Sequence, residues 1–310
     1  MHVTHLLVAC LCCAAATNSA STSESDVCGQ TIENVNFADD GDAKQRTSPW
    51  MVVLGIYEAE FQGEEEQFMV ECSGSLLTSS LVITAAHCFY SGDLEHYVRA
   101  GVSNIRYRGA QESRVKEVLL HPNYASPKVY YDVGLARLED VLQLSAKVAP
   151  ICLPASPLEP DSLEGDGVTV QGWGSSDDNV DNEQLTEIDV TVRPLGYCNH
   201  KFQGLDAASI RVYYPQLLTE VMFCADHNVN KDIGTCYGDS GGPTIKKVLD
   251  EKDWSERFTL VGIVSGNPKG CRGFREYPDY FTFIGHEQVG RQLLSAKQTW
   301  KSKVSINVKS

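Results

Sequence analysis

A serine within the hexapeptide Gly-Asp-Ser-Gly-Gly-Pro at 238–243 carries the strongest chemical signal in this sequence. A serine hydroxyl becomes an effective nucleophile only when a neighbouring base takes its proton. The chain contains a histidine in Thr-Ala-Ala-His-Cys at 84–88 and an aspartate in Tyr-Asp-Val-Gly-Leu at 131–135. The chain thus supplies a base in His87, a carboxylate that can orient the base in Asp132, and a nucleophile in Ser240. This combination indicates acyl-transfer catalysis.

Each motif taken alone also has a different interpretation. A glycine-flanked serine occurs in ordinary turns and in esterases, and an aspartate before a strand often caps a turn. His87 alone could be a buried structural histidine, while His121, His200 and His227 lie in polar, turn-rich segments. Esterases of the α/β-hydrolase class place the acid and the histidine after the serine, so the order here argues against them.

The three motifs, in this order, resemble those of the chymotrypsin-like (trypsin-fold) serine proteases. Gln-Gly-Trp-Gly at 171–174 resembles a further signature of that family, to which we assign a structural role. The resemblance implies an all-β fold of two packed six-stranded antiparallel β-barrels with a C-terminal helix. The residues themselves favour an all-β sandwich or barrel. Val289, Leu293 and Leu294 recur on one face of the predicted helix around 288–296.

The resemblance also implies a role for each residue of the site. Ser240 would attack the peptide carbonyl, His87 would move the proton, and Asp132 would orient His87. The backbone N–H groups of Gly238 and Ser240 would bind the oxyanion, because flanking glycines allow the necessary tight turn. Asp239 matches the residue that pairs with the new N-terminal ammonium when zymogens of this family are activated.

The substrate pocket departs from that of trypsin. The position six residues before the nucleophile, at the base of the pocket, holds Gly234 in place of an aspartate. Ser265 matches the position that pairs with the bound peptide, and Asn267 replaces a glycine at the pocket mouth. Asp279 replaces a glycine on the opposite wall, which predicts a basic or mixed preference with bulky aromatic residues disfavoured. The alternative is that Asp279 turns towards solvent.

The activation segment departs as well. The resemblance aligns the new N-terminus with Asn-Phe-Ala-Asp-Asp at 36–40, where no Arg or Lys precedes the junction and two acids replace glycines. Lys44 and Arg46 lie too far downstream for a new terminus to reach Asp239. We therefore expect either an unusual cleavage between 31 and 40 or a single-chain form in which a cation such as Lys44 pairs with Asp239.

The N-terminus and the cysteines both indicate export. Residues 1–20 contain an apolar run that is too short to span a bilayer and is followed by small residues, which predicts a signal peptide. Eight cysteines follow, an even number typical of a disulfide framework whose pairings cannot be chosen from spacing. The resemblance implies the pairs Cys28–Cys152, Cys72–Cys88, Cys198–Cys224 and Cys236–Cys271.

After the signal peptide we predict a propeptide-like segment at 21–36, a protease domain at 37–299 and a polar tail at 300–310. The net charge of −15 disfavours nucleic acid or an anionic membrane as a partner. We expect no metal or organic cofactor.

The sequence therefore predicts a secreted, extracellular serine endopeptidase that acts as a monomer on protein or peptide substrates in a proteolytic cascade. Its expected partners are an upstream activating protease and serpin-type inhibitors. The alternative is a catalytically silent or zymogen-locked homologue that acts as a binding partner in such a cascade. The altered junction at 36–37 favours this alternative, whereas the complete triad argues against it.

Overall fold

The computed structural model describes residues 27–31, 48–58, 67–89, 94–106, 109–159, 161–174, 183–227, 234–250, 254–271, 276–291, 293 and 295. The predicted signal peptide, the junction at 36–40, Lys44, Arg46, Leu294 and the polar tail lie outside the described residues. In the part that is described, no helix combines the length and the apolar character needed to cross a membrane.

Six antiparallel strands close into a first barrel. They are β1 (Met51–Glu58), β2 (Gln67–Thr78), β3 (Leu81–Thr84), β4 (His96–Ala100), β5 (Gln111–Leu120) and β6 (Gly134–Leu138). Their order around the barrel is β1–β2–β3–β6–β5–β4. β-Branched and aliphatic residues suit the half-buried surface of such strands. Val52, Leu54, Leu76 and Ile83 are among the fully buried residues of its core.

Six further strands close into a second barrel. They are β7 (Gly167–Gly172), β8 (Thr186–Arg193), β9 (Met222–His227), β10 (Pro243–Leu249), β11 (Glu256–Gly266) and β12 (Asp279–Phe283). Their order is β10–β11–β12–β9–β8–β7. Phe223 and Phe281 stack in its core with ring centroids 5.0 Å apart. The predicted fold of two six-stranded barrels is confirmed.

The helices are few. The predicted C-terminal helix is present and buries Val289 and Leu293. Two others, α1 (Leu195–Phe202) and α2 (Ala207–Tyr213), are not predicted by the sequence analysis. The side chain of Asp206 caps α2 by accepting hydrogen bonds from two N–H groups of its first turn, as acidic N-cap residues do.

The Gln-Gly-Trp-Gly motif at 171–174 links the two barrels. Trp50, next to β1, donates from Nε1 to Gln171 Oε1 at 2.8 Å, and both side chains are buried. Trp173 donates from Nε1 to the carbonyl oxygen of Ser103 at 2.9 Å. These bonds hold the end of β7, in the second barrel, against residues that flank strands of the first.

Four disulfides fasten this framework. They are Cys28–Cys152, Cys72–Cys88, Cys198–Cys224 and Cys236–Cys271, the pairs that the resemblance implies. One of them joins β2 to the turn that carries His87, and another encloses the segment that carries Ser240.

Candidate active site

Strand pairing brings His87 and Asp132 together. His87 lies in the short 3₁₀ turn Ala86–Phe89 directly after β3, and Asp132 lies just before β6. Because β3 and β6 are antiparallel neighbours, the end of one meets the start of the other. His87 Nδ1 is 2.7 Å from Asp132 Oδ2, and the backbone N–H of His87 donates to Asp132 Oδ1 at 2.9 Å. The carboxylate thus fixes the orientation of the imidazole and favours a proton on Nδ1.

Residues of the second barrel hold Asp132 in place. The Asp132 side chain is 3% exposed, so it needs hydrogen-bond partners for its charge. Ser265, in β11, donates from Oγ to Asp132 Oδ2 at 2.6 Å. Thr282, in β12, donates from Oγ1 to the carbonyl oxygen of Asp132 at 2.9 Å. Asp132 therefore lies at the junction of the two barrels.

The pKa of His87 reflects this environment. Burial alone would lower the pKa of the imidazole. The negative charge of Asp132 and the hydrogen bond to it outweigh the burial, so the pKa of His87 is raised above the ordinary 6.5. A histidine with a raised pKa is a stronger base, and it stays partly protonated at a pH where a free histidine is neutral.

A chain of hydrogen bonds anchors the Ser240 turn beside the histidine turn. The carbonyl oxygen of Ser240 accepts from the backbone N–H of Ser73 at 2.8 Å. The carbonyl oxygen of Ser73 in turn accepts from Thr84 Oγ1, also at 2.8 Å, and Thr84 lies three residues before His87. A Cβ atom at Gly241, whose φ is +78°, would lie 1.9 Å from Thr84 Oγ1. Only glycine therefore allows this approach.

Ser73 also holds the predicted oxyanion-binding residue. Its hydroxyl donates to the carbonyl oxygen of Gly238 at 2.7 Å, and Ser73 is fully buried. Gly238 has φ +95°, a backbone conformation that other residues rarely adopt. The hydroxyl of Ser73 thus fixes the Gly238 backbone from its carbonyl side. No local sequence pattern marks Ser73 as part of the site.

The motif at 171–174 has a second role, which the sequence analysis misses. Asp239 accepts from the backbone N–H of Gly174 at 2.7 Å and from that of Cys236 at 2.9 Å. A Cβ atom at Gly172 or Gly174 would lie 2.1 or 2.0 Å from an oxygen of the Asp239 carboxylate. Both glycines are therefore required so that the chain can pass around Asp239.

Asp239 is a buried acid without a cation among its described partners. Burial raises its pKa to about 6, the N–H groups of Cys236 and Gly174 lower it, and the charge of Asp279 raises it further. Unpaired burial of a carboxylate disfavours the charged form. Lys44, the cation that the sequence analysis names as a partner, lies outside the described residues.

Two of the predicted pocket residues, the half-buried Asn267 and the buried Asp279, are joined by a hydrogen bond. Asp279 is 0% exposed, so its side chain does not turn towards solvent. Its Oδ1 accepts from Asn267 Nδ2 at 2.7 Å, and its Oδ2 accepts from the backbone N–H of Thr235 at 3.2 Å. His227 Nε2 lies 3.1 Å from the same Oδ2. Gly234, beside Thr235, is also buried.

One group of side chains in the described residues has the spacing of a metal site. Cys72, His87 and Cys88 place their potential ligand atoms within 4.8 Å of one another. Both cysteines are joined in a disulfide, so neither offers the thiolate that would bind a metal ion.

Comparison with known proteins agrees with this geometry. The family model for trypsin matches residues 39–285. The chain belongs to the trypsin family of serine proteases. Clotting factor C of Tachypleus tridentatus is 30% identical over 244 residues, which cover 74% of this chain and 22% of that protein. Vitamin K-dependent protein C of Rattus norvegicus is 33% identical over 266 residues, which cover 82% of this chain and 52% of that protein.

Among solved structures, this family member is similar to neuropsin, a serine protease expressed in the limbic system of mouse brain. The TM-score is 0.58 at 28% identity, and the match covers 81% of this chain and 94% of neuropsin. The chain spans about half or less of the length of the two curated relatives described above.

Proposed function

We propose that this chain is a secreted serine endopeptidase that hydrolyses peptide bonds through an acyl-enzyme on Ser240. The observation that carries the proposal is the 2.7 Å contact between His87 Nδ1 and Asp132 Oδ2. Hydrogen bonds through Ser73 and Thr84 hold the turn that carries Ser240 beside the turn that carries His87. A histidine oriented in this way, beside an anchored serine, is the arrangement that activates a hydroxyl for attack.

The proposed reaction assigns one task to each group. Ser240 Oγ attacks the carbonyl carbon of the peptide while His87 Nε2 takes its proton and then delivers it to the leaving amine. Asp132 stabilises the imidazolium that forms. The N–H groups of Gly238 and Ser240 donate to the developing oxyanion. Water, deprotonated by His87, then attacks the carbonyl carbon of the ester; the bond from that carbon to Ser240 Oγ breaks, and His87 returns the proton to Oγ.

The setting is part of the same proposal. The likeness to a relative named clotting factor C, together with the four disulfides of the described residues, supports an extracellular chain with protein or peptide substrates. We place it in a proteolytic cascade, as a monomer that an upstream protease activates and serpin-type inhibitors regulate. The predicted boundaries, with a signal peptide at 1–20, a propeptide-like segment at 21–36 and a protease domain at 37–299, belong to this proposal.

The test measures hydrolysis of a protein substrate by the secreted chain, both as isolated and after treatment with an activating protease. Ser240→Ala and His87→Ala should each remove nearly all activity, because the triad acts as a unit. Asp132→Asn should lower kcat about 10⁴-fold by favouring the wrong histidine tautomer. Ser156→Ala, at an exposed serine, is the matched control and should retain full activity.

Two results would contradict the proposal. Wild-type turnover by Ser240→Ala would show that another group is the nucleophile. If the wild type shows no turnover after any activating treatment, the alternative of a catalytically silent homologue would be favoured. One observation supports that alternative, because no cation is described beside Asp239.

A further inference from the structure

The side chain of Asn267 covers one oxygen of the Asp279 carboxylate. β11 ends at Gly266 and β12 begins at Asp279, and Gly266 pairs with Tyr280 across the two strands. Asn267 follows Gly266 and Asp279 precedes Tyr280, so these two residues are the next to face each other beyond that pair. The amide nitrogen of Asn267 donates to Asp279 Oδ1 at 2.7 Å and to the carbonyl oxygen of Tyr277 at 3.0 Å.

The family resemblance assigns this hydrogen bond to the substrate pocket, and two contacts in the structure place it near the catalytic residues. Ser265, two residues before Asn267, contacts the carboxylate of Asp132. Thr235, five residues before Ser240, donates its N–H to Asp279. The Asn267–Asp279 pair therefore lies between the end of β11, which contacts the triad, and the segment that leads to Ser240. The Cys236–Cys271 disulfide encloses Ser240 and Asn267 in one loop.

Each oxygen of the Asp279 carboxylate has a hydrogen-bond partner within the protein. Oδ1 accepts from Asn267, while Oδ2 accepts from the N–H of Thr235 and lies 3.1 Å from His227 Nε2. The side chains of Asp279 and His227 are 0% and 4% exposed. The carboxylate is thus paired inside the protein, and on the side of Asn267 a neutral amide group covers it.

We propose that the Asn267–Asp279 hydrogen bond closes the lower part of the primary specificity pocket and restricts the substrate residue at the cleavage site to small, uncharged side chains. A Lys or Arg could reach the buried carboxylate of Asp279 only by displacing the half-buried Asn267 amide that is hydrogen-bonded to it, which is costly. An aromatic ring would collide with the same amide. This inference rests on the proposed peptidase function, and it replaces the basic or mixed preference that the sequence analysis predicts.

The experiment profiles cleavage of peptides that differ only in the residue before the scissile bond, with Ala, Val, Phe, Lys and Arg at that position. Rates are divided by the concentration of active sites, measured by labelling the secreted, activated chain with a fluorophosphonate. The wild type should prefer Ala and Val over Lys, Arg and Phe by about tenfold or more.

Variants then test the cause of this preference. Asn267→Gly uncovers Asp279 and should raise cleavage after Lys and Arg about tenfold or more, and Asp279→Ser in the same chain should abolish that gain. Asn104→Gly, which removes a half-buried amide whose oxygen accepts from the backbone N–H of Arg106, is the matched control and should leave the profile unchanged. Asn267→Ala replaces the glycine variant if the latter does not fold, with the same expected gain.

The outcomes separate the two claims. A wild type that reacts with the fluorophosphonate but prefers Lys, Arg or Phe would overturn the closed pocket and leave the peptidase function intact. A labelled Asn267→Gly protein with the wild-type profile would do the same. A wild type that never reacts with the label would overturn the peptidase function and this inference with it.

Discussion

The buried carboxylate of Asp239 should make the stability of the uncleaved chain depend on pH. Burial raises its pKa to about 6 from an ordinary 3.8; two backbone N–H groups lower it, and the charge of Asp279 raises it again. Between these two values, the folded chain binds a proton that the unfolded chain has released. Because the folded state holds the extra proton, the free energy of unfolding falls as the pH rises through this interval.

The magnitude follows from the difference in pKa. Each unit corresponds to about 1.4 kcal/mol, so about two units cost the charged form about 3 kcal/mol. The cost is absent below pH 3.8 and complete above the folded pKa of about 6. Asp239→Asn removes the titrating group, while its amide oxygen can still accept one of the two N–H bonds. The variant should therefore lose this part of the pH dependence.

The assay compares urea unfolding of the uncleaved chain with and without Asp239→Asn, in a Ser240→Ala background that prevents self-digestion. When the pH falls from about 7.5 to about 4.5, the free energy of unfolding should rise by about 2 kcal/mol more for the chain with Asp239 than for the asparagine variant. Asp140→Asn, the same substitution at an exposed aspartate, is the matched control. Identical pH dependence with and without Asp239 would refute the reasoning and would indicate that a cation already pairs with this carboxylate.

Two further predictions concern the catalytic machinery. Ser73→Ala removes the hydroxyl that holds the Gly238 carbonyl. Because a typical hydrogen bond contributes about 0.5–1.5 kcal/mol, kcat should fall by up to about tenfold with little change in KM in steady-state hydrolysis. The acid limb of the pH profile of kcat/KM should lie above pH 6.5, because the charge of Asp132 raises the pKa of His87. Ser265→Ala removes a hydrogen bond to that carboxylate, so the limb should move to still higher pH.

Each of these predictions can fail separately. An unchanged kcat in Ser73→Ala would show that the Gly238 backbone keeps its geometry without the hydroxyl. An acid limb below pH 6.5, or one that Ser265→Ala moves downwards, would show that Asp132 does not govern the protonation of the histidine.

The sequence predicts the barrels better than the helices, for a physical reason. Alternating and β-branched runs identify strands locally, whereas α2 has seven residues, none of them buried, and offers no periodic apolar face. Its sole local signal is Asp206 at the N-cap. The order of strands and their closure into two barrels came from the resemblance, because strand pairing joins residues far apart in the chain.

The same distinction applies to the site. The triad motifs could be found because each is a short string with its own context. Ser73 could not, since its hydroxyl bonds to a residue 165 positions away. His227 lies in a segment whose sequence is polar and typical of turns, yet its side chain is buried against Asp279, 52 positions along the chain. The family resemblance identifies Asp279, but the contact with Asn267 depends on side-chain positions that no local pattern specifies.

The most direct test of the central claim is to locate the fluorophosphonate adduct on the activated, secreted chain by mass spectrometry of its peptides. A serine activated by a histidine–aspartate pair reacts covalently with this reagent, whereas ordinary serines do not. The proposed mechanism predicts one adduct, on Ser240, that disappears in His87→Ala although the serine is still present. An adduct on another residue, or a Ser240 adduct that forms equally well without His87, would contradict it.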